Sequence, residues 1–365
     1  MDDKGWRKVA REVSRAGVIA STIYILASFS LLFTRHVHEH AKTMLYSGLL
    51  LFPHSVAIAY VASGATGRST KATGVAALLS IPALLAPLAA LYDPFLTPSL
   101  LFLLGGLPLA LASLIAAGQR GGSLRLSLVM TAVTYISTAL TIASWLLRRG
   151  GLFSQYSLGL TMSYTIALIY SVTFHSLPAT YKDKPVTLLG YVSVALTSIS
   201  SLLVVWDLVG EGLPLLLLSM YTYIVGARLY RVPQYIAWVR SNIKRGTAAY
   251  RGMKYYLDGH IFVIATALLA TAMIGYEVLK PGPCSVGCIL LSLHVLALGF
   301  SWMHVAIHAP MMLPVIVGVR HAKRYNIWPY LLTILSLLLW PGAGLASLIL
   351  ILASFAAMIL VFLRL

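Results

Sequence analysis

Ten histidines carry most of the chemistry that this chain could do inside an apolar setting, and their spacing is informative. His36, His38 and His40 form the run Arg35-His36-Val37-His38-Glu39-His40, and His54 follows one apolar stretch later. His294, His304 and His308 share a second long apolar stretch. At about 100° per residue, His304 and His308 lie about 40° apart on a helix, and His294 falls within about 80° of both. The three imidazoles would then line one face over about 21 Å. Neutral imidazole is a good ligand for haem iron and for copper. Two helices with histidines at matching levels would suit a bis-histidine haem near one surface and a second metal deeper in. On this reading His36, His38 and His40 stand at the outer level with His294, and His54, His304 and His308 form the deeper, metal level. Glu39 would orient a ligand imidazole by a hydrogen bond.

The remaining candidates are weaker. His175 and His260 are placed at the inner ends of apolar stretches, where imidazoles sit among lipid headgroups, and His321 in a basic connector where it is solvated. Cys284 and Cys288 are spaced C-x-x-x-C rather than C-x-x-C, which leaves open a disulfide, a soft copper-ligand pair or two packing thiols. The 20 tyrosines suit interfacial belts, and no catalytic one stands out among them.

The elements that must position these residues are membrane helices. Of 365 residues, 59% are hydrophobic and only 10% charged, against about 25% charged in soluble domains. Mean hydropathy is +0.86. This excludes a soluble enzyme, a secreted disulfide scaffold and a nucleic-acid-binding domain, despite a net charge of +17. Apolar stretches long enough to span (about 20 residues) are predicted at 16–34, 42–63, 73–92, 98–117, 124–147, 152–177, 186–206, 212–230, 258–277, 287–314, 327–341 and 344–363. Pro310 and Pro314 are expected to kink or end the tenth, and Pro341-Gly342-Ala343-Gly344 separates the last two. The expected fold is therefore all-α: one polytopic bundle of about twelve transmembrane helices over residues 1–365. With both termini inside, the inner connectors carry 22 of the 27 Lys and Arg residues and the outer ones five, a positive-inside pattern. The basic N-terminal stretch precedes a run long enough to be retained as a first helix. The connector 231–257 mixes Tyr235, Ile236, Trp238 and Val239 with Arg240, Lys244 and Arg245, and reads as an amphipathic segment on the inner membrane surface. All ten acidic residues fall in connectors or near span ends.

Two stretches resemble the NnrS family. His36-Val37-His38-Glu39 is similar to the H-x-H-E that opens an early helix in that family. The run His294-Val295-Leu296-Ala297-Leu298-Gly299 through Met303 resembles its H-A-L-x-x-G-x-x-x-x-M helix, and His308-Ala309-Pro310 through Pro314 and Gly318 continues in the manner of some relatives. The resemblance covers about 45 residues in two pieces. It implies a twelve-span membrane protein that contains haem and copper, is associated with nitric oxide metabolism, and is distantly like the catalytic subunit of haem-copper oxidases. The seventh span holds no histidine and the sixth only His175, so the copper triad of that oxidase subunit is not expected.

The resulting expectation is a multi-pass plasma-membrane protein in contact with lipid. Haem b would be held by His38 and His294, with His36 and Glu39 beside them, and copper by His54, His304 and His308. Its role would be electron transfer or nitric oxide chemistry with a redox partner or quinone, and no nucleic acid. The alternative is a transporter in which the same histidines relay protons or carry a metal.

Overall fold

The structure is a computed structural model that describes residues 1–148, 151–181, 183–280, 282, 284–317, 325–340, 342 and 344–363. The expectations for Arg149, Lys182, Gly318, Arg320, His321, Lys323, Arg324, Pro341, Ala343 and Arg364 fall outside these residues. All regular structure is helical, and no strand occurs among the described residues. The runs of apolar residues account for this: away from water each backbone polar group must be paired within its own segment, which a helix does.

Among the described residues, ten helices are long and apolar enough to cross a membrane. They are α1 (Asp3–Phe33), α2 (Val37–Gly64), α3 (Arg68–Tyr92), α4 (Leu96–Gly118), α5 (Gly122–Arg148), α6 (Phe153–Pro178), α7 (Thr187–Val205), α8 (Val209–Gly226), α10 (Ala248–Leu279) and α11 (Val286–Pro310). Helix α9 (Val232–Asn242) lies in the basic connector, with Trp238 and Arg240 exposed and Tyr235 and Val239 buried. Two further apolar helices follow, α12 (Trp328–Leu339) and α13 (Gly344–Leu363). At 12 residues, α12 is about 18 Å long, short of a full crossing. Helix runs from Trp302 to Val317 without stopping at Pro310. A proline removes one ladder hydrogen bond, and packing in a membrane helix compensates for it.

The chain divides into two compact units, Met1–Leu216 and Leu217–Leu365. In the first, α5 packs on α4, α6 and α7, and α1 packs on α2 and α3. Helix α6 is its innermost element: from Gln155 to Phe174 every residue except Ile169 is buried. The apolar residues Leu100, Leu104, Leu107, Leu111 and Leu114 of α4 face outward at helical spacing, as a lipid-facing stripe does. In the second unit, α10 packs on α9 and α11, and α12 packs on α13.

Between helices the polar groups are handled locally. Asp93 opens α4 by accepting from the backbone N–H groups of Phe95, Leu96 and Thr97 and from the Thr97 hydroxyl. Partial burial raises the Asp93 carboxyl pKa, but the hydrogen bonds from Thr97 and Phe95 outweigh it and hold the group below its ordinary value.

Among the described residues, three helices contain a π-helical segment: Leu45–Leu51 in α2, Thr161–Ile166 in α6 and Val295–Ser301 in α11. These are the second, sixth and tenth of the long helices, so the feature recurs every fourth helix. The i→i+5 register inserts an extra residue into a turn. It rotates everything beyond it by about one residue, or about 100°. In the first unit, two of these segments meet, where the Thr165 hydroxyl donates to the Leu49 carbonyl.

Candidate functional site

The π segments change which histidines share a face. Val295–Ser301 lies between His294 and His304, so the single stripe expected from uniform 3.6-residue turns is broken there. His304 and His308 lie beyond it and keep their common face, with ring centroids 6.2 Å apart and nearly parallel. His294 has a different neighbour and stacks on Trp340 at 3.9 Å.

Among the described residues of the second unit, His260 on α10 and His304 on α11 are buried, and His308 on α11 is half-buried. His260 is 0% exposed and His304 2%. The His260 and His308 ring centroids are 5.9 Å apart, and the Tyr256 ring packs against both, at 4.5 and 5.3 Å. Each hydrogen bond to a backbone carbonyl fixes a tautomer, because a carbonyl only accepts. His260 donates from Nδ1 to the Tyr256 carbonyl at 2.7 Å. His304 donates from Nδ1 to the Phe300 carbonyl at 2.8 Å, and His294 from Nδ1 to the Leu290 carbonyl at 2.7 Å. All three therefore present a basic Nε2, the arrangement usual for metal-ligating histidine. The His304 Nε2 accepts from the Tyr223 hydroxyl at 2.9 Å. The Nε2 atoms of His260 and His308 are buried and have no hydrogen-bond partner.

His54 is different. It sits in the first unit, 1% exposed, with both ring nitrogens engaged. Ser80 gives its own proton to the Ala76 carbonyl at 2.8 Å, so the Ser80 oxygen accepts from His54 Nε2–H at 2.9 Å. His54 Nδ1 must then accept from the Tyr135 hydroxyl at 2.7 Å. Tyr135 in turn accepts from Tyr164, 3.0 Å away. The result is a directed chain, Tyr164 to Tyr135 to His54 to Ser80 to Ala76, that leaves His54 no lone pair for a metal. Tyr135→Phe removes the donor to His54 and the acceptor for Tyr164. An unsatisfied buried group costs about 1–3 kcal/mol, so a lower apparent melting temperature in detergent is expected, read against Tyr250→Phe on the half-buried side chain of α10.

At the start of α2, His36 and His38 are exposed and Glu39 is half-buried. Glu39 lies 3.8 Å from His36 Nδ1, an ion-pair rather than a hydrogen-bond separation. His40 is tied back to α1, donating from Nδ1 to the Ser28 carbonyl at 2.8 Å. His175 meets the Ser123 hydroxyl at 3.0 Å and is partly exposed.

Cys284 and Cys288 form a disulfide, which decides among the three possibilities and removes the thiolate-pair option. Purified protein denatured without reductant is therefore expected to take up no thiol-alkylating reagent, and two equivalents after reduction; two labels before reduction would contradict the crosslink.

Sequence reasoning placed His260 at a span end because the apolar stretch begins near residue 258. The helix itself begins at Ala248, with Tyr250, Arg251 and Lys254 hiding its first turns, so His260 lies three turns in. Tyr223 and Tyr256 carried no distinguishing local signal. Among the described residues, no three His, Cys, Asp or Glu side chains are gathered closely enough to hold a metal ion as they stand.

The chain is all-helical among its described residues, with ten helices long and apolar enough to cross a membrane and imidazoles buried within each of its two units. Neither a family model, nor a curated protein, nor a solved structure matches the chain.

Proposed function

We propose that this chain is a haem-bearing redox protein of the NnrS type, embedded in the plasma membrane by its long apolar helices with both termini inside. His38 and His294 are the proposed axial ligands to haem b, with His36 and Glu39 beside His38. The second site, for copper, belongs to the buried imidazoles around His304 and His308, and His54 serves its own hydrogen-bonded chain. The partner would be a redox protein or quinone, and the process electron transfer or nitric oxide chemistry.

The observation that carries this reading is the tautomer set. His260, His294 and His304 each give Nδ1–H to a backbone carbonyl, which holds the ring still and leaves Nε2 as a lone pair. That polarity is the one a metal-ligating imidazole requires. A haem with two imidazole ligands supplies one-electron transfer. The chain's own contribution is to fix ring orientation through Leu290 and to pack His294 against Trp340. Few acids lie within the spans, so charge compensation for a bound cation would come from these dipoles.

The test is the pyridine haemochrome spectrum of protein purified from haem-replete cells. The expected result is close to one haem b per chain. Colourless protein of normal fold and yield would overturn the reading.

A further inference from the structure

We infer that His260 and His308 form a two-coordinate site for monovalent copper between α10 and α11. The inference deepens the proposed copper site, and so rests on the reading of this chain as a metal-holding protein, but it does not depend on haem.

The two Nε2 atoms are the starting point. Each of these nitrogens is buried without a hydrogen-bond partner. One such orphan costs about 1–3 kcal/mol, and two occur on neighbouring rings. The Tyr256 carbonyl holds the His260 ring by Nδ1–H, so its Nε2 carries a lone pair directed away from its own helix ladder. The ring centroids are 5.9 Å apart. Two imidazoles sharing one ion through nitrogen–metal bonds of about 2 Å have centroids on the order of 6 Å apart. The separation of the rings, which stand at 88° to one another, matches that distance.

The chemistry of the surroundings selects the ion. Zinc in a structural site takes four ligands, and no group of three is assembled among the described residues. Calcium and magnesium require oxygen donors, and the one acidic residue near His260 in sequence, Asp258, is paired with Lys254. His304 is the nearest third imidazole, but its Nε2 is held by Tyr223. What remains is a pair of neutral nitrogen donors in an apolar enclosure capped by the Tyr256 ring. Imidazole suits copper, and the monovalent ion accepts two donors. A single positive charge also costs far less to desolvate than a double one, since that penalty grows with the square of the charge.

The experiment uses the full chain, purified in detergent and titrated anaerobically with Cu(I) against a chromophoric Cu(I) chelator. The same samples are examined by X-ray absorption and for a Soret band. Wild type is expected to hold one Cu(I) per chain with two nitrogen neighbours. His260→Gln and His308→Gln are each expected to weaken binding more than about 100-fold, beyond the 10–100-fold typical of an outer-shell change. His175→Ala should bind as wild type. Folding is monitored by size-exclusion profile, and His260→Ala serves as a second variant if the glutamine form aggregates. Wild type that takes no Cu(I) from the chelator, with only a water between the rings, overturns the site. Binding that survives loss of either histidine overturns it as well. A Soret band without Cu(I) binding defeats this site alone, whereas Cu(I) binding by colourless protein defeats the haem reading alone.

Discussion

Alanine at His294 is expected to remove most of the Soret absorption of the purified protein, with haem occupancy falling at least tenfold. Loss of an outer-shell partner costs about 10–100-fold in cofactor affinity, and loss of a ligand costs no less. Three features make His294 the strongest axial candidate. Its Nδ1–H is committed to the Leu290 carbonyl, its ring is stacked on Trp340, and it lies just before the π segment Val295–Ser301. The first leaves Nε2 as the basic atom, the second fixes the ring plane, and the third sets it apart from the His304–His308 face. Added imidazole should restore much of the absorption to His294→Ala, because the cavity left by the ring admits the same donor. His38→Ala should behave like His294→Ala, whereas His175→Ala should keep its haem. Full absorption in His294→Ala would remove this residue from the site.

The second large effect is steric. Gly105 of α4 faces Ser80 of α3 so closely that a Cβ there would lie 2.5 Å from the Ser80 Cα and 2.2 Å from its Oγ. The nearer atom can turn aside on its own, but the Cα is backbone and moves only with its helix. Gly105→Ala must therefore spread α3 from α4. It also displaces the Ser80 hydroxyl that accepts from His54. Overpacking costs about 1–3 kcal/mol and more where backbone must move, and the broken hydrogen bond adds about 1–3 kcal/mol. The expected outcome is a strongly reduced yield of monodisperse protein and a large fall in apparent melting temperature. Gly275→Ala is the matched control: no atom comes within 4 Å of a Cβ there, and alanine is the better helix former by about 1 kcal/mol. A Gly105→Ala protein as stable as wild type would mean that α3 and α4 are not so close.

Much of the architecture was legible because hydrophobic run length is nearly sufficient for a membrane helix. Each predicted span from 16–34 to 287–314 overlaps one of the ten long helices. The pairing of His304 with His308 followed from spacing alone, since both lie on one side of the π segment. The grouping of His294 with them did not survive, because a π insertion leaves no mark on composition: Val295 to Ser301 is as apolar and small as any helical turn. The burial of His260 against other helices was missed for another reason. The first turns of α10 carry Tyr250, Arg251 and Lys254, which read as connector although the helix passes through them. The role of Tyr135 and Tyr164 was out of reach, because twenty tyrosines at belt-like positions offer no local cue, and only tertiary contact selects two of them. For Cys284 and Cys288 the spacing allowed a disulfide without requiring it. One helical turn between Ser285 and Cys288, with the Ser285 hydroxyl accepting from the Cys288 N–H, brings them together.

The central claim is that imidazole Nε2 lone pairs in this bundle bind a redox metal. Low-temperature electron paramagnetic resonance of the oxidised, purified protein tests it most directly, because the signal reports the ligands of the iron itself. The account predicts a low-spin ferric haem with two nitrogen axial ligands, lost in His294→Ala. Protein that is folded, taken from iron- and haem-replete cells, and yet silent in both this measurement and metal analysis would contradict it.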